Sequence, residues 1–116
     1  MPSSAHEGSP GAGRPGAPEI EVHRDDARHM YHAEIDGHQA RILFAPLADP
    51  DHTLDFQHTQ VPIELRGRGV ADTLVRHALD DVRSRGERIV ATCPYVKAFL
   101  VRHPEYQALT VPDRSD

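Results

Sequence analysis

The feature that most constrains this chain is a change of hydrophobic period near its middle. Up to Val61 the pattern is alternation. In Thr53-Leu-Asp-Phe-Gln-His-Thr-Gln-Val61, Leu54, Phe56 and His58 are expected on one face and Asp55, Gln57, Thr59 and Val61 on the other. From Val70 onward Leu74, Ala78 and Leu79, with Val75 and Val82 beside them, recur every three to four residues, the period of an amphipathic helix. A loop with two glycines, Leu65-Arg-Gly-Arg-Gly-Val-Ala71, lies at the switch, and Arg88-Ile-Val-Ala-Thr-Cys93 follows as a short apolar strand. A strand, a helix and a second strand in that order predict a parallel pair joined by a right-handed crossover.

The residues before this unit read as hairpins. Glu19 to Asp26 forms a short first strand. Arg28 to Asp36 forms a second, with Tyr31, Ala33 and Ile35 on one face and Met30, His32 and Glu34 on the other. Asp36-Gly37 is a two-residue turn signal. Gln39 to Pro46 is a third strand, whose run of Ile42, Leu43 and Phe44 predicts burial on both faces. Ala48 to His52 has loop composition, and Pro62 ends the fourth strand. The first helix is expected from about Gly67 to Arg85, with Gly86 as its left-handed cap. Pro94 opens a short second helix to about Arg102, burying Val96, Phe99 and Leu100. His103-Pro104 stops it, and the last ten or so residues lose their pattern and are expected to fray. The order is β-β-β-β-α-β-α, a mixed α/β (α+β) sheet.

Composition sets the outer limits. The chain has 116 residues, room for one domain. Residues 1–18 hold four Pro, four Gly and three Ser, too little apolar surface to offset ordering entropy, and are expected to form a disordered tail. The folded domain is placed at 19–110, with 111–116 as a frayed C-terminus. Thirteen basic residues against 18 acidic ones give a net charge of -5, which argues against general nucleic-acid binding. No apolar run is long enough to span a membrane, and no secretory signal is read at the N-terminus. The single cysteine excludes an intrachain disulfide and fits a reducing, cytoplasmic compartment. His29 and His32, three apart on one strand, would point to opposite faces, and no metal site is expected. The small core suits a monomer or weak dimer.

The glycine loop is where chemistry enters. Its glycines let the backbone curve closely around a ligand, and the free N–H groups of the helix start suit a phosphate. The same glycines would equally serve a tight turn with no ligand. Arg66-Gly-Arg-Gly-Val-Ala71 fits the Arg/Gln-x-x-Gly-x-Gly/Ala signature of the GNAT-type N-acetyltransferases. His58-Thr-Gln-Val-Pro62, Cys93-Pro-Tyr-Val96 and Arg102-His-Pro-Glu-Tyr106 extend the match, so that Glu19 to Tyr106 resembles the small single-domain, GNAT-like N-acetyltransferase domain-containing proteins.

That resemblance implies a compact acyl-CoA N-acyltransferase fold with acetyl-CoA, or coenzyme A, as substrate. It implies that Leu65, Arg66, Gly67, Arg68, Gly69, Val70 and Ala71 cradle the pyrophosphate. The strand edge at Thr59 and Val61 would meet the pantetheine, where the fourth and fifth strands splay apart, and Pro94 and Tyr95 would also bind the cofactor. It implies an amine acceptor, either a small molecule or a protein lysine. Cys93 stands where a small GNAT-like protein places a candidate nucleophile. A helix N-terminus would stabilise its thiolate for an acyl-cysteine step, or the thiol is a small buried core group. His58 is the candidate general base; alternatively it is structural. His103 could cap carbonyls, and Tyr95 could donate to the leaving sulfur or simply pack. The chain departs from larger GNAT domains in one respect: only Ala27 separates the first two strands, where acceptor-shaping helices normally lie. That leaves open a second reading, a coenzyme A-binding module without catalysis.

Overall fold

The computed structural model describes residues 20–48 and 52–111. The expected tail at 1–18 and the end of the chain from 112 lie outside them. The elements are β1 (His23–Asp25), β2 (Met30–Ile35), β3 (His38–Pro46), β4 (Thr53–Gln60), α1 (Val70–Ser84), β5 (Arg88–Ala91) and α2 (Pro94–Arg102), with 3-10 turns at Ile63–Leu65 and Pro104–Leu109. The five strands form one sheet in chain order. β1 to β4 are antiparallel, and β4 pairs with β5 in parallel across the α1 crossover.

Tyr31, Ala33, Ala40, Ile42, Phe44, Leu54, Phe56 and Ile89 supply the sheet side of one hydrophobic core. Leu74, Val75, Ala78, Leu79 and Val82 of α1 and Val96, Phe99 and Leu100 of α2 close it. Both helices therefore cover the same face. Leu43 is only half-buried and Met30 is buried outside that core, so the expected two-sided burial at Ile42–Phe44 is not found. The opposite face of the sheet carries no helix among the described residues. No helix among them is long and apolar enough to cross a membrane.

Several boundaries move for physical reasons. Of the expected Glu19–Asp26, residues 20–26 are described; β1 keeps three of these, and Ile20 and Val22 pack on the core without joining the ladder. His29, expected within β2, lies in the β1–β2 turn at φ 55. Helix α1 starts at Val70 rather than Gly67, because Gly67 and Gly69 hold φ of 79 and 76, which a right-handed helix excludes. Its end is a Schellman motif. Gly86 N donates to Arg83 O and Glu87 N to Val82 O, each at 3.1 Å, with Gly86 left-handed.

The expected fraying after Tyr106 does not occur up to Val111. Tyr106 and Leu109 are buried, Thr110 bridges to Ile89, and Val111 N donates to Ile89 O at 3.0 Å. Two apolar residues three apart suffice for a 3-10 turn but give no periodicity to read. All three tyrosines donate to aspartates of α1: Tyr31 to Asp81, Tyr95 to Asp72 and Tyr106 to Asp80. These bonds tie β2, α2 and the terminal turn to one helix.

Candidate active site

The site begins with a fault in the sheet. β3 and β4 pair in register from Pro46↔Leu54 to Phe44↔Phe56, then resume as Leu43↔His58 and Ile42↔Thr59. Gln57 is the extra residue of a β-bulge. Residues directly opposed across an antiparallel pair share a face. Thr59 therefore lies with Ile42 on the core face, and His58 lies with Leu43 on the open face. This reverses the alternation expected for His58 and Thr59, because one inserted residue inverts every side chain beyond it.

The same fault ends the parallel ladder. β4 and β5 pair only from Thr53↔Arg88 to Phe56↔Ala91. Thr92 N and Cys93 N both donate to Phe56 O, at 3.0 and 2.9 Å. The chain then turns into α2 with Cys93 as its N-cap and Pro94 at the first helical position. Beyond Phe56, β4 has no strand beside it on this side among the described residues, and the backbones of β4 and the start of α2 part, leaving a gap bridged by the side chains of Thr59 and Cys93.

A cavity of about 440 Å³ occupies that gap and runs to the glycine loop. It is lined by Thr59, Val61, Leu65, Arg66, Gly67, Gly69, Val70, Ala71, Asp72 and Tyr95. Leu65 is fully buried, so it anchors the loop and offers only backbone. Gly69 caps α1 in the left-handed conformation. The N–H groups of Val70, Ala71 and Asp72 belong to the first turn and have no carbonyl one turn back. A Cβ placed on Gly67 would meet nothing within 4 Å, so the loop faces open space. Donors, positive dipole end and open volume together fit the pyrophosphate of a coenzyme A thioester.

Two expected binding residues do not join this wall. Arg68 turns away to Asp36 in the β2–β3 turn, at 2.9 Å. Pro94 is exposed at the top of α2 and does not line the cavity. Arg66 does line it, with Nε held on Val61 O at 3.1 Å.

Cys93 is 3% exposed and sits just beneath the cavity wall. Its Sγ lies 3.4 Å from Thr59 Oγ1, and either group can donate. His58 is exposed on the opposite face of the sheet, so it does not share a surface with Cys93. His103 is the C-cap of α2; its ring packs tilted against Phe99, centroids 4.2 Å apart, and Nδ1 is 3.7 Å from Glu105. Those contacts give it a place in the packing rather than at the cavity.

Sequence reasoning missed Asp72. It takes the third position of α1, where its charge complements the helix dipole. It also accepts from Tyr95 Oη and from Arg102 Nη2, the latter at 3.2 Å. Burial, then the hydrogen bond to this carboxylate, pushes the Tyr95 hydroxyl up to about 12. Tyr95 therefore stays protonated at any physiological pH, with its proton committed to Asp72. An acidic residue in a helix's first turn is so ordinary that nothing in the sequence marked this one.

A mixed sheet whose parallel pair opens beside a glycine loop and a helix start defines the GNAT-type N-acetyltransferase fold. The comparisons agree. The family model for the GCN5-related N-acetyl-transferase matches residues 23–109. Protein NATD1 of Bos taurus is 36% identical over 105 residues, covering 87% of this chain and 93% of its own. Protein NATD1 of Homo sapiens is 32% identical over 99 residues, covering 85% and 87%. Among solved structures, a GCN5-like protein from Staphylococcus aureus superposes with a TM-score of 0.60 at 23% identity, over 82% of this chain and 91% of that one. A ribosomal-protein-alanine N-acetyltransferase from Brucella melitensis gives 0.50 at 21% identity, over 75% and 66%. The chain belongs to the GCN5-related N-acetyltransferase family.

Proposed function

We propose that this protein is an acetyl-CoA-dependent N-acetyltransferase that acts on an amine and passes the acetyl group through Cys93. The observation that carries the reading is one cavity that runs from the glycine loop to Thr59, whose hydroxyl touches the Cys93 thiol. Bound coenzyme A supplies a thioester. The first turn of α1 and the loop hold its pyrophosphate, and the unpaired edge of β4 holds its pantetheine arm along Thr59 and Val61. The thioester end then falls beside Thr59, next to the buried thiol.

The chain's own residues divide the work. Thr59 Oγ1 donates to Cys93 Sγ as the thiol loses its proton. Cys93 Sγ bonds to the acetyl carbon as the carbon–sulfur bond to coenzyme A breaks, and that thiol leaves with the proton. The amine then bonds to the same carbon, the bond to Cys93 Sγ breaks, and the proton that the nitrogen gives up restores the thiol. His58, on the open face, takes the proton that an arriving ammonium must lose before its nitrogen can attack. The cofactor and acceptor thus approach from opposite faces of the sheet. An acyl-carrying thiol needs a reducing environment, and a cytoplasmic location is part of this reading.

The turn at residues 26–29, where larger family members carry helices, favours a second reading as a coenzyme A-binding module without turnover. One experiment separates them. Wild type and Cys93→Ala are incubated with acetyl-CoA and weighed by intact-protein mass spectrometry. A gain of one acetyl group in the wild type alone, discharged by amines, is the expected result. Bound coenzyme A with no adduct and no turnover supports the binding module. Turnover that survives in Cys93→Ala overturns the relay in favour of direct transfer, and neither adduct nor bound coenzyme A overturns both readings.

A further inference from the structure

Arginines in this acidic chain commonly spend their guanidinium on a carboxylate. Arg28 and Arg68, for example, pair with Asp25 and Asp36, each at 2.9 Å. Arg41 and Arg66 do not. Each is fixed through Nε alone, Arg41 on Gln60 Oε1 at 2.7 Å and Arg66 on Val61 O at 3.1 Å. Neither closes an ion pair among the described residues. Both line one cavity of about 530 Å³ beside Gln39, Gln60 and Pro62.

The arrangement has a chemical meaning. A guanidinium held at Nε is pre-oriented, and its two Nη groups are left to form a planar fork that matches an oxyanion. Two such cations sharing a cavity repel one another, and an anion between them removes that cost. The cavity also has a telling position. It shares Thr59, Val61 and Arg66 with the coenzyme cavity. It shares Gln39 and Arg41 with a second hollow on the open sheet face, which also takes in Met30, His32 and Leu43. Arg41 pairs across the ladder with Gln60, one residue from Thr59. An anion held here lies on the acceptor's side of the gap, one residue along β4 from the thioester position.

We infer that Arg41 and Arg66 bind a carboxylate of the acceptor, so that the amines this protein acetylates carry a carboxylate, as amino acids and peptide C-termini do, and are not polyamines. This rests on the acetyltransferase reading, and it makes Arg41 a specificity-determining residue. The probes are N-acetylglycine, which joins an acetamide to a carboxylate, and its neutral counterpart N-acetylglycinamide. Each is titrated into the full chain, and backbone and arginine Nε signals are followed by NMR.

Saturable shifts at Arg41, Gln60 and Arg66 with N-acetylglycine, absent with the amide and about tenfold weaker in Arg41→Gln, are expected. Equal shifts with both probes, or none with either, overturn the inference. So does loss of N-acetylglycine binding on addition of coenzyme A but not of 3′-dephospho-coenzyme A, because the arginines would then hold the cofactor's 3′-phosphate. Failure of the acetyltransferase reading shows separately, as an absence of coenzyme A shifts at Gly67 to Ala71.

Discussion

Thr59 Oγ1 lies 3.4 Å from Cys93 Sγ, across the gap that the β4 bulge opens. The two residues are 34 apart in sequence and meet only because Gln57 is left unpaired. Thr59→Val keeps the shape and removes the hydroxyl. If that hydroxyl supports the thiolate, the rate of acetyl-Cys93 formation falls about tenfold, the worth of one hydrogen bond of roughly 1.4 kcal/mol. Coenzyme A affinity should stay near the wild-type value, because the valine still fills the wall. A time course by intact mass, beside a calorimetric titration with coenzyme A, measures both. An unchanged rate would show that the contact only packs.

The three tyrosines make a sharp prediction at alkaline pH. Burial first, and then an aspartate acceptor on α1, raises each hydroxyl above its ordinary value, Tyr95 to about 12. In the unfolded chain they ionise near pH 10. The folded state therefore keeps protons that the unfolded chain has lost, so stability that is complete below about pH 10 drains away as pH rises toward about 12. The phenolate absorbance of the native protein should stay flat through about pH 10, where free tyrosine is half ionised. Asp72→Asn should return one tyrosine of the three toward the ordinary range. Three normal titrations in the native protein would contradict the hydrogen-bond assignments.

Gly67 separates a backbone cost from a steric one. Its φ of 79 is left-handed, yet an added Cβ finds open space. Gly67→Ala should therefore cost only the left-handed strain, about 1 kcal/mol, which lowers the Tm of a domain this size by roughly 4–8 °C. Because the new methyl group projects into the space assigned to the pyrophosphate, coenzyme A affinity should fall by more than stability alone accounts for. Thermal unfolding with and without coenzyme A reads both effects. Equal losses with and without ligand would remove this loop from the binding site.

The sequence exposed the long-period features of the fold and hid the short ones. Alternation and the 3.6-residue repeat located β4 and α1, and Asp36-Gly37 located the β2–β3 hairpin, because each rests on several residues that agree. The β4 bulge left no such trace. Gln57 is one polar residue in an alternating strand, and only the pairing with Leu43 and Phe44 shows that it is the extra one. That single insertion moved His58 to the open face and brought Thr59 to Cys93. The glycine loop was legible because left-handed φ and a helix start have a composition. Asp72, Arg41 and the turn at Pro104–Leu109 were not, because their roles depend on partners 19 to 30 residues away or on a two-residue apolar spacing.

The short edge strand β1 depends on Arg24. Its side chain is 9% exposed and forms a two-pronged pair with Glu87, at 2.7 and 3.1 Å, while Nε holds Asp26 at 2.7 Å. The guanidinium also lies over the Phe44 ring at 5.2 Å and donates to Tyr31 Oη at 3.1 Å. Glu87 follows the Schellman cap of α1, so this pair clamps the first strand to the α1–β5 turn. Arg24→Ala would leave Glu87, 15% exposed, without its cation, at a cost of about 3 kcal/mol. Arg24→Lys keeps the charge but loses the fork and the stacking, and should fall between the two. The double variant Arg24→Met, Glu87→Leu removes both charges together and should recover much of the loss, since an apolar pair of similar volume avoids the desolvation penalty. Denaturant melts of the wild type, Arg24→Met, Glu87→Leu and their double variant form a double-mutant cycle. Strong coupling between the two positions is the expected result; simple additivity would mean that β1 is held by its ladder and the apolar contacts of Ile20 and Val22, and that the ion pair is incidental.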